Sequence, residues 1–356
     1  MDTYRTSTAM PLFQDFRNAE SVAGATIFRD SPGVDPVRDF ARSTVAGLSA
    51  SPRRLESRFL YDAHGSELYE RITEQPEYYL TRTEAAILAA NAPRIRKIAG
   101  PATLVELGSG SSAKTDYLLR SWLAQDRPVR YIPVDVSESA LRGAGRTITA
   151  THRGVSVIGV NATYQRAFPL FHRLSPAMVL FLGSTIGNFT PEEMSGFLTA
   201  MAAALAAGDF FLVGIDLAKD RDLIEAAYND AAGVTAEFTR NLFARMNREL
   251  GSEIDLAAVE HVARYNPERE QVDICARFTR RQTIRVAPLG YCFTIAEGEE
   301  VQTETSRKFR LREFIPYLEE YGFTTEEVFS DERNWFALLL LRRSTFPSGS
   351  PGGKTS

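Results

Sequence analysis

The chain has 356 residues, long enough for two domains that each bury a full core. Its formal net charge of −4 excludes an overall basic surface for nucleic acid or an anionic membrane. Two cysteines, Cys275 and Cys292, without a CxxC spacing argue against a disulfide framework or a cysteine zinc site and suit a reducing, cytoplasmic setting. The histidines at 64, 152, 172 and 261 are scattered without ligand spacing, so no metal is expected.

Residues 1–35 are polar, weakly periodic and hold Gly and Ser; they read as a flexible leader without a secretory signal pattern. From Thr103 to Ile215 short apolar runs alternate with helical patterns. "TLVEL" precedes a helix near residues 114–124, "RYIPVDV" precedes one from about Glu138, and "VSVIGV" comes next. "AMVLFLG" precedes a helix opened by "TPEEM", where Thr190 caps, Pro191 fits the first turn and two carboxylates meet the positive end. "FFLVGID" closes the series, which reads as an α/β fold with a parallel sheet covered on both faces. The stretch from Gly196 to Ile215 approaches membrane-spanning length, but Gly208-Asp209 divides it into a helix and a buried strand. After Asp220 the pattern changes: residues 222–250 are helical, and 271–309 carry the antiparallel patterns "QVDICARF", "RQTIRVA" and "YCFTIA". A helix over about 312–321 follows, then "TTEEVFS" and "WFALLLLRR", which can return to the parallel sheet as its edge. Residues 344–356, ending "SGSPGGKTS", form a flexible tail by composition.

The loop "LVELGSGSSAKT" follows the first parallel strand, where open α/β sheets bind ligands. It lacks the second glycine of a phosphate loop, and Ala113 stands third in a GxGxxG register. Glu106, two residues before Gly108, would repel pyrophosphate and suit a cation. Asp135, ending the second strand, can accept from a ribose diol. Lys114, placed in the first turn of the next helix against its dipole, calls for a carboxylate from the ligand's tail. Together these features point to S-adenosylmethionine. A nucleotide-binding oxidoreductase and a non-catalytic relative are the readings from other classes.

The ordered segments "RFLYDAHGSELYERITEQPEYYLTRTE", "LVELGSGSSAKT", "PVDVS", "FLGSTIGNF", "DLAKD", "AAYND" and "TETSRKF" resemble the histidine Nα-methyltransferases of ergothioneine biosynthesis, from about Ser51 to Arg343. The resemblance implies a Rossmann-like class I methyltransferase sheet over about 83–217 and 309–343. It also implies a second, α+β substrate-binding domain over about 36–82 and 218–308. It implies a metal-free monomer that trimethylates the α-amine of L-histidine to hercynine. Cofactor contacts would fall on Tyr78, Gly108, Lys114, Asp135, Thr163 and Tyr164, and substrate contacts on Tyr61, Asn188, Tyr228, Glu304 and Ser306.

The residue types suit those roles. Asn188 can accept from an amine and donate to a carboxylate. The rings of Tyr61 and Tyr228 can receive a growing quaternary ammonium. Tyr61 and Asn188 are the expected catalytic pair, holding the amine in line. Glu304 and Ser306 alternate along a strand, so both face one side and can accept from and donate to the two imidazole nitrogens. Two departures stand out. Ala162-Thr163-Tyr164 replaces the family's Gly-Asp-Phe or Gly-Thr-Tyr and still offers a hydroxyl and an aromatic ring to adenine. Ile274 stands where the bacterial histidine enzymes place a methionine near the imidazole, which keeps open a different aromatic amino acid or small amine as acceptor.

Overall fold

The five apolar runs between Thr103 and Asp216 become parallel strands because each is buried on both faces, which leaves no polar side to expose. The computed structural model describes residues 16–22, 24–30, 35–125 and 128–344. In it the runs are β3 (Thr103–Leu107), β4 (Val129–Asp135), β5 (Val155–Asn161), β6 (Ala177–Phe181) and β7 (Phe210–Asp216). Two further pairs complete the sheet: β1 (Phe16–Val22) with β2 (Ala25–Asp30), and β13 (Phe323–Ser330) with β14 (Phe336–Arg343). Among the described residues the sheet has nine strands in the order β1-β2-β5-β4-β3-β6-β7-β14-β13. As the final two runs suggested, β14 joins β7 antiparallel and β13 forms the edge.

The side chains of each strand alternate between two cores. Leu104, Tyr131, Leu180 and Leu212 pack on one face with Ile87, Leu88 and Leu118. Val105, Ile132, Val179 and Val213 pack on the other with Phe168, Met194 and Phe197. In chain order the helices are α1 (Pro36–Ser49), α2 (Ala63–Thr73), α3 (Tyr79–Ala99), α4 (Asp116–Leu123), α5 (Glu138–Thr151), α6 (Tyr164–Phe171), α7 (Pro191–Ala204), α8 (Arg221–Ala227), α9 (Val234–Leu250) and α10 (Leu311–Glu320). Thr190 and Glu193 close a reciprocal capping box on α7. With α7 ending at Ala204 and β7 starting at Phe210, the apolar stretch divides at Gly208-Asp209 as read. Among the described residues no helix is long and apolar enough to cross a membrane.

A second, three-stranded antiparallel sheet runs β12 (Glu300–Arg307), β9 (Gln271–Phe278), β8 (Val259–Asn266), beside a hairpin of β10 (Gln282–Val286) and β11 (Tyr291–Ile295). Alternate residues of β9 are buried, the signature of a sheet with one packed face. The segment read as one helical stretch after Asp222 is two helices, α8 and α9, parted at residues 228–233.

One expectation is corrected here. Residues 16–30, read as part of a flexible leader, supply β1 and β2, and β2 extends the central sheet in parallel beside β5. Ala25, Ile27 and Phe28 are buried there, so a short apolar stretch gains a partner surface that its local pattern did not reveal. Residues 1–15 of that leader, and 345–356 of the expected tail, lie outside the described residues. The boundary expected between residues 82 and 83 falls inside α3.

Candidate active site

The order of the sheet reverses between β3 and β6, which opens a crevice at the carboxyl ends of the parallel strands. After β3 the chain turns through Gly108, at φ +67°. A Cβ there would lie 2.9 Å from the Tyr164 hydroxyl, so only glycine lets loop and ring share the space. The Gly110 N–H donates to Asp135 Oδ2 at 2.9 Å and the Ser137 N–H to Oδ1 at 2.8 Å. Burial pushes the Asp135 pKa up, against the pull of those backbone donors. Thr163 precedes α6 and makes no side-chain cap bond, and Tyr164 opens the helix. Gly108, Asp135, Thr163 and Tyr164 thus gather at neighbouring strand ends. Each Asp135 oxygen keeps a lone pair for a diol.

Two charges beside the loop are arranged otherwise than the sequence suggested. Glu106 is 3% exposed and faces under the loop, where it accepts from Thr115 Oγ1 at 2.6 Å and from the Tyr131 phenol. Burial pushes its carboxyl up to about 7. It therefore supports the loop from beneath and has no position from which to repel a phosphate. Lys114 lies ahead of α4, not in its first turn, and its ammonium pairs with the buried carboxylate of Glu84. Glu84 also accepts the Gly183 N–H at 2.9 Å, tying the glycine loop to the end of β6. An internal carboxylate thus already pairs with Lys114.

Facing the strand ends, Tyr61, Asn188, Tyr228, Glu304 and Ser306 line one cavity, joined by Tyr69, Tyr78 and Thr185. Tyr61 ends a single helical turn, Ser57–Leu60, and its ring meets Tyr69 and Phe238 edge-on at 5.6 and 5.4 Å. Asn188 ends a turn of 3₁₀ helix, Thr185–Asn188, beyond β6. A Cβ on Gly187 would lie 2.9 Å from the Arg307 carbonyl oxygen, so glycine lets this turn press on β12. The approach allows Asn188 Nδ2 to donate to Glu304 Oε1 at 2.9 Å. Burial pushes Glu304 up to about 7, opposed by the nearby Lys308 ammonium. Burial also raises the Tyr61 phenol well above its ordinary pKa, and the Glu304 charge adds to this, so the phenol stays neutral. Tyr228 caps α8, and its hydroxyl lies 2.7 Å from Ser306 Oγ. Tyr78, at the start of α3, lies edge-on to Tyr228 at 6.3 Å and so sits on the wall between the two halves.

Ile274 does not reach the cavity. It faces Glu304 in the β9–β12 register but is 2% exposed within the core behind the wall. His64 stays apart from the site, exposed and facing Glu67 at 3.6 Å. Sequence reasoning missed Tyr69, Thr185 and a buried cluster behind Tyr228 formed by Lys308, Asp216, Lys219 and Tyr79. A readable sign existed: Lys308 stands two residues beyond Ser306, on the same side of an extended chain. Among the described residues no group of His, Cys, Asp and Glu could hold a metal ion.

A family described as histidine-specific, S-adenosylmethionine-dependent methyltransferases matches residues 40–343. The chain is 42% identical to the histidine N-alpha-methyltransferase of Mycolicibacterium smegmatis, over 85% of this chain and 94% of that protein. It is 32% identical to Ergothioneine biosynthesis protein 1 of Neurospora crassa, over 56% of this chain and 23% of that longer protein. At 27% identity it also aligns with the L-tryptophan methyltransferase of Psilocybe serbica, over 85% of this chain and 92% of that one. With the family match spanning most of the sequence and a strand-end cleft opening on a polar aromatic cavity, this chain belongs to the histidine-specific, S-adenosylmethionine-dependent methyltransferases.

Proposed function

We propose that the protein methylates the α-amino nitrogen of L-histidine three times, giving hercynine, as a step of ergothioneine biosynthesis. One observation carries the reading: Asn188, Glu304, Ser306, Tyr228 and Tyr61 converge on a single cavity in a member of this family. S-adenosylmethionine supplies, when bound, an electrophilic methyl on a sulfonium. Gly108, Asp135, Thr163, Tyr164 and Tyr78 are the residues that would hold it, with Asp135 on the ribose diol. Lys114 fixes the loop through Glu84, and its remaining ammonium hydrogens are free to meet the methionine carboxylate.

The chain's own task is positioning. The attacking nitrogen needs a lone pair, so the amine sheds a proton before each transfer. The new N–C bond forms as the C–S bond breaks, and the third transfer leaves a quaternary ammonium with no proton to lose. Tyr61 and Asn188 orient the amine, and the neutral rings of Tyr61 and Tyr228 accommodate the cation that accumulates. Glu304 and Ser306 hold the ring of the acceptor. We assign the residues from 36 up to the start of α3, and 218–308, to substrate binding, and place the enzyme in the cytoplasm as a monomer. Two free cysteines and the small-molecule chemistry support that placement.

The test is a mass measurement. Purified protein is incubated with labelled S-adenosylmethionine and each amino acid in turn. Histidine heavier by three methyl groups is the expected product. Methylation of tryptophan or tyrosine in its place would establish the second reading, favoured by the tryptophan-methylating relative. Folded protein that methylates no amine would overturn both.

A further inference from the structure

We infer that Lys308 is a positioning residue of the acceptor cavity: its buried ammonium orients the paired hydroxyls of Tyr228 and Ser306 so that a single O–H is left to donate to the substrate. The inference rests on the function proposed above and names the residue that sets the polarity of its pocket.

Lys308 immediately follows β12, and its side chain is fully buried, as is that of Asp216. The ammonium lies 2.8 Å from Asp216 Oδ2, 2.8 Å from the Tyr228 hydroxyl and 2.9 Å from Ser306 Oγ. An ammonium has three hydrogens and no lone pair, so these contacts use its whole capacity, and both hydroxyl oxygens must accept. Burial works against the charge, but Asp216 and the Tyr228 hydroxyl outweigh it and hold the ammonium protonated.

The two hydroxyls are themselves 2.7 Å apart. Between them they own two hydrogens. One is spent in their mutual bond; the other cannot point at the ammonium. Both residues line the cavity, so the spare hydrogen has the cavity to point into. Glu304, on the same strand, offers an acceptor. The wall therefore shows one donor and one acceptor, the pattern complementary to a neutral ring with one N–H and one bare nitrogen. A site built this way rejects analogues that leave its buried polar groups unpaired.

A buried ion pair can also serve folding alone, and the surroundings separate the two roles. Asp216 is held independently by Lys219 and by the Tyr79 hydroxyl at 2.8 Å. The Tyr228 backbone carbonyl oxygen lies 2.8 Å from His261 Nε2, a contact that does not involve Lys308. Removing the ammonium thus leaves Asp216 paired and Tyr228 anchored, while the hydroxyl hydrogens lose their imposed direction.

The experiment is a double-mutant cycle on the full chain with Lys308→Met and Ser306→Ala. Lys308→Met keeps the apolar stem and removes the charge and its donors. The expected result is a rise in the histidine KM of about tenfold, the scale of a buried polar group left without its partner. S-adenosylmethionine affinity by calorimetry should stay near wild type, and kcat should fall far less than KM rises. In the Ser306→Ala background the same substitution should cost less, because one of the two hydroxyls it orients and the bond between them are gone. Independent, additive effects, or an unchanged histidine KM, would overturn the positioning role. Should Lys308→Met fail to fold, Lys308→Leu, which likewise has no donor, decides by the same KM shift and the same non-additivity. Additive effects in an enzyme that trimethylates histidine refute this inference alone; a wild type that does not methylate histidine refutes the proposed function.

Discussion

Glu304 combines a costly burial with one donor, Asn188 Nδ2 at 2.9 Å, and with the favourable charge of the nearby Lys308 ammonium. The balance leaves its carboxyl at about 7, where it is ionised at mildly alkaline pH and can accept an imidazole N–H. Replacing Glu304 by Ala should raise the histidine KM by roughly tenfold or more while S-adenosylmethionine affinity stays near normal. Unchanged histidine kinetics would remove the residue from the pocket. Asp135 carries the complementary prediction. Asp135→Ala should weaken S-adenosylmethionine binding by about one to a few kcal/mol, read by calorimetry, and wild-type affinity would end its assignment to the ribose. Residues of this kind were legible because their motifs name them. Glu106 and Lys114 were misjudged because a sequence displays charges without their partners. The carboxylate that answers Lys114 lies 30 residues earlier, on α3, and the hydroxyls that satisfy Glu106 come from Thr115 and Tyr131. Lys308 was overlooked for the converse reason: a lysine in a polar run looks solvated until its neighbours are known.

Strands buried on both faces announce themselves, which is why β3 to β7 follow from apolar runs alone. Edge strands do not, and β1–β2 shows the cost. Among its described side chains Ala25, Ile27 and Phe28 are the buried ones, and the hairpin is tied to α5 by Arg29 on Glu138 and by Arg142 on Glu20. These ion pairs are partly exposed and contribute little each, so the apolar contacts and the strand pairing with β5 hold the hairpin. A chain that begins at Asp35 would bare the edge of β5 and the surface those three residues cover. It should melt several degrees lower and self-associate on a sizing column, with loss of order greatest near α5. A truncated protein with an unaltered melting temperature and a single small species would show the hairpin to be dispensable.

The cavity is assembled from residues 61, 188, 228, 304 and 306, carried by parts of the chain that lie far apart in sequence. Local patterns identified the pieces, and a family's ordered segments were needed to say that they meet. Their meeting has a consequence for the stability of the whole molecule. In the folded chain Glu304 titrates near 7, against 4.5 in its ordinary state. Between those values the folded protein holds a proton that the unfolded chain has released, so this group's contribution to stability is fully present below 4.5 and is lost as pH rises through 7. Glu304 is half-buried, so the loss is at most on the order of 3 kcal/mol. Glu106 adds the same trend, whereas the lowered pKa of buried His261 opposes it, so the total curve mixes several groups. A difference measurement isolates one. Glu304→Gln keeps an acceptor for Asn188 and cannot ionise. Its melting temperature relative to wild type should therefore be least favourable near pH 5, improve steadily to about pH 7, and level off by pH 8 at a gain of several degrees. That gain should accompany a weaker hold on histidine, since the charge that destabilises the folded chain is the one that binds the ring. A melting difference that does not vary with pH would mean that Glu304 titrates as it does in water, and the cavity would lose its buried acceptor.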